Sequence, residues 1–403
     1  MKACGLIVEY NPFHNGHMYH IQEAKKISNA DCMIAVMSGS FLQRGEPAVI
    51  DKFHRAQAAL QSGIDIVLEL PYPFAVQSSN LFAKGSVQTL FEIGVSSICF
   101  GSESGDISNF TTTYKMFKEK ETIYQQSLKI FLNKGLSFPE ASKQAYMEIG
   151  LTPSTMDLTQ PNNILGFSYV KAILDKELPI TPLTIKRSSS NYHDDTITSS
   201  IASATSIRKE LISVNHASPQ IARTVPEETY RQLLLYKHAA SIWHSWEHYF
   251  SLVHYRVMTM SVDELAAING VDEGLEYRIK KTAIKATSFN EWIQAIKTKR
   301  YTWTRLQRMF VHILTNTKKT DMEIAKNTST VPYVRLLGLT KNGQAYLNTI
   351  KKEMSVPIIS KISRNKIPML SIEEKASNAY YSILSPVKQQ KLRQQEFQPP
   401  IRI

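Results

Sequence analysis

Four short apolar runs, each followed by a segment of helical periodicity, fill the first 110 residues, and that alternation leaves few folds open. Residues 3–9, 32–37, 65–70 and 97–100 read as buried strands, with helices at 16–27, 52–61 and 79–93 between them. Strands buried on both faces and joined by helices form a parallel sheet, so the expected class is α/β with a Rossmann-like sheet. Ligands of such sheets bind beyond the carboxyl ends of the strands. That rule singles out Glu9-Tyr10-Asn11-Pro12, Ser38-Gly39-Ser40, Pro71-Tyr72-Pro73 and Gly101-Ser102-Glu103.

Further on, residues 107–148 read as polar helices covering one side of the sheet, 163–176 as a helix, 180–186 as a last strand, and 204–212 as a helix after the Ser/Thr-rich run 196–203. Past Pro219 helical segments dominate, among them 227–243, 246–258 and 263–268. Two domains are therefore expected, 1–218 and a mainly helical 219–403. Residues 333–339 and 356–360 suggest short strands flanking a helix at 344–352, and 389–403 reads as a polar tail.

Charge separates the two halves. The net charge is +12, but residues 1–200 hold 17 Lys and Arg against 19 Asp and Glu, and 201–403 hold 30 against 16. The basic excess favours a polyanion, and all four tryptophans (Trp243, Trp246, Trp292, Trp303) lie in that half beside Tyr249, Tyr255, Tyr277 and Tyr301. With 43% apolar residues the chain can bury a large core. No long uncharged apolar run offers a membrane span, and Glu9 ends the first run too early for a signal-peptide core, so the expected location is the cytoplasm. Three widely spaced cysteines, Cys4, Cys32 and Cys99, suit neither a disulfide nor a CxxC site and read as buried free thiols.

Between the first strand and first helix lies Asn11-Pro12-Phe13-His14-Asn15-Gly16-His17. Two histidines three residues apart bring both imidazoles to a helix N-terminus, where unpaired N–H groups and the macrodipole already favour an anion. Gly16 has no side chain to hold a phosphate away. The pattern suits the α-phosphate of a nucleotide, whose oxygens gain charge when a carboxylate attacks it, so His14 and His17 would act as electrophilic stabilisers. Helix capping and a metal pair are the other readings. A metal pair lacks a third ligand here, and capping leaves the glycine unexplained.

His14-Asn15-Gly16-His17 resembles the (H/T)xGH signature of the nucleotidyltransferase superfamily. That likeness implies a second element at the start of a late helix, and Ser203-Ala204-Thr205-Ser206-Ile207-Arg208 fits it, with Ser203, Thr205 and N–H groups for the phosphates and Arg208 for the pyrophosphate. Taken alone, Ser203 and Thr205 read as an N-cap. Longer blocks, residues 9–17, 37–48, 161–166 and 201–208, with Lys299-Arg300-Tyr301 and Arg335-Leu336-Leu337-Gly338, are similar to the bacterial tRNA(Met) cytidine acetate ligase family over nearly the whole chain. The resemblance implies an ATP-dependent ligase that makes acetyl-adenylate from acetate, releases pyrophosphate, and passes the acetyl group to N4 of the wobble cytidine of elongator tRNA(Met), giving N4-acetylcytidine. It places ATP contacts on Ile7, Val8, Glu9, Tyr10, Asn11, Pro12, Phe13, His14, Asn15, Gly16, His17 and His20, and further ones on Gly101, the pair Asn162 and Asn163, and Arg187. Mg²⁺ is expected with ATP, but no carboxylate cluster identifies a protein ligand for it.

Other segments carry less. Gln43-Arg44-Gly45-Glu46-Pro47 could hold a phosphate, admit tRNA or be a surface turn. His193 and Asp194, in the loop after Arg187, invite a general-base reading but suit a solvated loop as well. Residues 297–308 interleave cations with aromatics; on a helix, Tyr301, Arg305 and Arg308 share one face, and with Arg300 they are the expected tRNA contacts. Lys280, Lys281 and Lys285 read as a solvated face. Two rival functions remain, a small-molecule adenylyltransferase making a nucleotide cofactor, for which the basic half has no task, and a non-catalytic RNA-binding protein.

Overall fold

Strand β1 (Ala3–Val8) occupies the middle of a parallel sheet and pairs in register with β2 (Cys32–Ser38) on one side and β4 (Ser97–Ser102) on the other. Next to β2 lies β3 (Ile66–Leu70), and next to β4 lies β5 (Thr181–Lys186). Every residue of β2 and β3 is buried, which explains why these runs are continuously apolar instead of alternating. The computed structural model describes residues 1–152, 156–187, 202–272, 274–328, 330–362 and 367–403. The loop from 188, with His193 and Asp194, and the Ser/Thr-rich run up to 201 lie outside the described residues.

The connecting helices are α1 (Asn15–Ser28), α2 (Lys52–Gln61), the short α3 (Tyr72–Ala75) and α4 (Ser79–Glu92). The polar stretch after β4 forms α5 (Ile107–Glu119), α6 (Glu121–Asn133) and α7 (Phe138–Glu148), and α8 (Pro161–Leu174) leads back into β5. Helix α9 (Ala204–Val214) follows. Because the chain builds outward from β1 first through β2 and β3 and then through β4 and β5, the strand order reverses between β1 and β4, where a doubly wound sheet opens its ligand crevice.

The sequence leaves open which sheet the late strands join. They extend this one: β6 (Val334–Leu339) lies antiparallel against β3, with Ile66 opposite Leu339, and carries β7 (Ile358–Ile359) and β8 (Ile401–Arg402) on its outer side. Between about 219 and 330 the chain is helical, and Phe41, Val49, Ile50 and Tyr72 from the first half pack into the same core as Trp243, Trp246 and Trp292. Those three tryptophans are buried and Trp303 is half-buried, so they pack the interior; the exposed aromatics of the basic half are Tyr255, Tyr277 and Phe397. The three cysteines are buried free thiols.

Residues 389–403 do not form the expected polar tail. Leu392 and Glu396 are buried, and β8 closes on β6. The reason is charge: Lys52 on α2 reaches Glu69 at 2.6 Å and Glu396 at 2.9 Å, and Arg335 on β6 pairs with Glu69 at 3.2 Å and with Glu396. All four side chains are almost wholly buried. The two cations hold the Glu69 carboxyl well below the usual carboxylate range, and Glu373 beside it is pushed up by burial and by Glu69. Removing one partner strands the other charges, so Glu396→Ala is expected to lower unfolding free energy by about 3 to 5 kcal/mol in urea titrations. A loss below about 1 kcal/mol would show that the cluster rearranges around the gap.

Candidate active site

The carboxyl end of β1 runs straight into the first helix through Tyr10, at φ 49°, and a cis Asn11–Pro12 bond. His14 is the N-cap of α1, and its Nδ1 accepts the N–H of Gly16 at 3.1 Å. His17, one turn on, returns the contact, its Nδ1 accepting the His14 N–H at 3.1 Å. A ring nitrogen that accepts from an amide carries no proton, so both neutral imidazoles have their hydrogen on Nε2, a tautomer assigned from this bonding. The rings stack at 3.8 Å. Burial, with Arg187 and Arg208 nearby, pushes His14 down to about 3; burial and His14 hold His17 well below its ordinary value. Both are therefore uncharged at neutral pH, each with one Nε2–H to give. Capping and anion binding are not alternatives here, because the cap fixes which nitrogen can donate.

These histidines line a cleft at the strand ends that opens to solvent. Ile7, Val8, Glu9, Tyr10, Asn11 and His20 line it too, with Gly101, Asn162, Arg187, Ser203, Thr205 and Arg208. Three buried polar atoms around it, Tyr10 Oη, Asn11 Nδ2 and His20 Nε2, lack a hydrogen-bond partner. Ser203 caps α9 by accepting the Ser206 N–H at 3.1 Å, so the leading turn of that helix meets the cavity with its N–H groups. Arg208, on the same helix, donates to the Asn11 carbonyl at 2.9 Å and pairs with Glu46 at 3.1 Å.

Five of the expected nucleotide contacts stand away from the cavity wall. Pro12 and Phe13 are buried beneath the turn, Phe13 packing edge-on to Tyr10. The Gly16 amide is spent on the cap. Asn15 faces the other half of the chain, with its N–H on the Thr224 carbonyl and Nδ2 on that of Arg223. Asn163 is a lock: its Oδ1 accepts from the Glu103 and Ser104 N–H groups and its Nδ2 donates to the Asp157 carbonyl, while the Glu103 carboxylate takes the N–H groups of Asn162 and Asn163 at the start of α8. Of the pair, Asn162 is the one at the cavity.

Phe82 and Tyr169, to which sequence reasoning gave no weight, form an apolar wall with Leu42, Phe100 and Leu165, and Arg44 and Glu46, left undecided, line the cavity too. The strand-end rule and the family-like block 37–48 both pointed at the 42–46 loop. Arg55 ties the carboxyl ends of β1 and β2 together, donating to the carbonyls of Glu9 at 2.7 Å, Ser38 at 3.0 Å and Gly39. Gly45, at φ 79°, lies so close to the helix Trp303–Thr315 that a Cβ would stand 2.3 Å from the Arg308 nitrogen. That helix starts after Tyr301, which corrects the shared helical face: Tyr301 is a loop residue, and Arg305 lies over its ring at 4.9 Å. Arg308 is drawn down to about 10 by burial and by Arg305 and Arg44, so three guanidiniums gather beside the cavity mouth. Arg300 precedes them, half-buried. Among the described residues no group of three His, Cys, Asp or Glu side chains is placed to hold a metal ion, and no helix is long and apolar enough to cross a membrane.

Residues 1–396 match the family HIGH Nucleotidyl Transferase. The chain is 55% identical over 403 residues, all of both chains, to a tRNA(Met) cytidine acetate ligase of Oceanobacillus iheyensis. It is 49% identical to one of Bacillus subtilis, over 94% of this chain and 92% of that one. Among solved structures, Thermotoga maritima TmcAL without ligand superposes with a TM-score of 0.91 at 33% identity, covering both chains fully. The same protein bound with alpha-thio ATP gives 0.90 at 32%, again over both whole chains.

Proposed function

The chain belongs to the HIGH nucleotidyl transferases, within the tRNA(Met) cytidine acetate ligase family, and on that premise we propose that it activates acetate with ATP and acetylates N4 of the wobble cytidine of elongator tRNA(Met) in the cytoplasm. The observation that carries the chemistry is the stacked, uncharged histidine pair whose only free donors are two Nε2–H groups at a helix N-terminus. ATP lies along the carboxyl ends of β1 and β4. As an acetate oxygen attacks the α-phosphorus, charge builds on the phosphate oxygens and on the departing pyrophosphate. His14 and His17 donate to the first and Arg208, with the leading N–H groups of α9, to the second. Arg208 gives up Glu46 to do so, exchanging one carboxylate for phosphate oxygens.

Mg²⁺ accompanying the nucleotide would be held by phosphate oxygens and water, because Glu9 and Glu46 are the only carboxylates among the described wall residues and they do not form a cluster. The tRNA backbone meets Arg300, Arg305 and Arg308, the buried Tyr301 ring supports Arg305 from beneath, and Arg44 continues this cationic track to the cavity wall. Nucleoside mass analysis of tRNA incubated with the protein, ATP and isotopic acetate should show labelled N4-acetylcytidine. Pyrophosphate exchange driven by a phosphate ester instead of acetate would replace this reading with that of a cofactor-making adenylyltransferase.

The two asparagines give a sharper check. Asn162→Ala is expected to raise KM for ATP in the exchange assay by about tenfold, and to cost about 1 kcal/mol of stability because its Nδ2 also donates to Glu103 Oε1 at 2.6 Å. Asn163→Ala should leave KM for ATP nearly unchanged and lower stability by about 2 kcal/mol as the Glu103–Ser104 turn loses its acceptor. Identical behaviour of the two variants would contradict the division.

A further inference from the structure

We infer that the Glu9 carboxylate is the general base of acyl transfer, taking the proton that the cytidine N4 amine sheds as it attacks acetyl-adenylate; this rests on the reading of the cavity just given. Forming the adenylate needs no base, because acetate is already an anion. The second step does. The N4 lone pair makes the N–C bond to the acetyl carbon, the C–O bond to the α-phosphate breaks, AMP leaves with that electron pair, and one proton must leave the nitrogen.

Among the described cavity-lining residues, the other titratable groups are committed. His14 and His17 spend Nδ1 on backbone N–H groups. His20 bonds the Cys99 backbone, its Nε2 is covered, and burial draws it down to about 4. The phenols of Tyr10 and Tyr169 are held protonated by burial. Glu46 returns to Arg208 once pyrophosphate has left, before transfer begins, and is held in that pair at 3.1 Å.

Glu9 differs in geometry. It follows the last residue of β1, one step from the turn that holds the histidines, and its Oε1 accepts the Gln43 N–H at 2.7 Å. That bond fixes the carboxylate, and among the described residues Oε2 has no partner. Burial holds the carboxyl above the ordinary Glu value, which strengthens it as a base. Arg44 and Arg208 oppose that shift, Glu46 adds to it, and Arg55 and Tyr169 are the remaining ionisable groups that face it. A carboxylate in this setting serves the slow loss of a proton from a weakly basic exocyclic amine.

The test separates the two half-reactions. Glu9→Gln keeps an oxygen for the Gln43 N–H but cannot take a proton. Relative to the unaltered enzyme, the ratio of acetyl transfer to acetate-dependent pyrophosphate exchange should fall by about 10²-fold or more. Trapping of the adenylate by hydroxylamine, which needs no such base, should follow exchange. The acid limb of the transfer pH profile should vanish in Glu9→Gln and persist in His20→Gln. Glu9→Asp, which keeps a carboxylate, should recover part of the ratio. Equal loss of exchange and transfer in Glu9→Gln, or no recovery in Glu9→Asp, overturns the assignment and makes Glu9 a loop anchor. Absence of acetate-dependent exchange in the unaltered protein sinks the parent reading, and this assignment with it.

Discussion

Replacing His17 by Asn is expected to slow acetate-dependent exchange of labelled pyrophosphate into ATP by about 10²- to 10³-fold, with the urea unfolding midpoint nearly unmoved. The two outcomes come from two ring nitrogens. An Asn oxygen sits where Nδ1 now accepts the His14 N–H, so the reciprocal cap survives. The Nε2–H that meets the α-phosphate is gone. His17→Gln reverses the pattern, placing an amide N–H near the old Nε2 and losing the cap, so it should recover part of the rate at a cost of about 1 kcal/mol in stability. His17→Ala should lose both. tRNA affinity depends on cations elsewhere and should be kept in all three. If the Asn variant exchanges pyrophosphate at the normal rate, the histidine pair is architecture alone.

Acid should unfold this protein steeply. His14, His244 and His312 are each lowered to about 3 and His20 to about 4, with burial the first cause in every case. The unfolded chain keeps histidines near 6.5, so as pH falls below that value the unfolded state binds protons that the folded state refuses. Stability therefore rises with pH across this window and is lost on acidification. Each such group contributes about 1.4 kcal/mol per pH unit at the limit, so these four give a slope of about 5 kcal/mol per unit, to which His17, also held well below its ordinary value, adds. His54, raised by Asp51, adds no slope there, because its contribution is complete below 6.5. Unfolding free energies at pH 7, 6 and 5 measure this directly. His312→Gln should reduce the slope by about one histidine's share, since the ring bonds only uncharged partners, the Tyr72 hydroxyl at 2.9 Å and the Val76 backbone. A flat response between pH 6.5 and 5 would mean the rings admit water.

What could be read before the fold was seen follows from how local each signal is. The continuous apolarity of residues 32–37 and 65–70 reports burial on both faces, which only a covered parallel sheet provides, and the strand-end rule then reaches His14, Gly101 and Arg44 without any contact being known. The tautomer of His17 could not be read, because it depends on an amide three residues away. Phe82 and Tyr169 were out of reach for a different reason. They sit on α4 and α8 at spacings that any buried helix would show, and only the packing of those helices turns them toward the cavity. Glu396 looked like one more solvated charge, since its partners Lys52 and Arg335 lie more than 300 and about 60 residues away.

The antiparallel seat of β6 beside β3 also sets a schedule for synthesis. When β1 to β5 have emerged from the ribosome, β3 still has a bare flank of unpaired amide and carbonyl groups, and its proper neighbour is about 150 residues from being made. A nascent chain stalled in that interval offers a sticky border to other unfinished copies, so limiting chaperones should hurt the yield of this protein more than that of one whose sheet closes early.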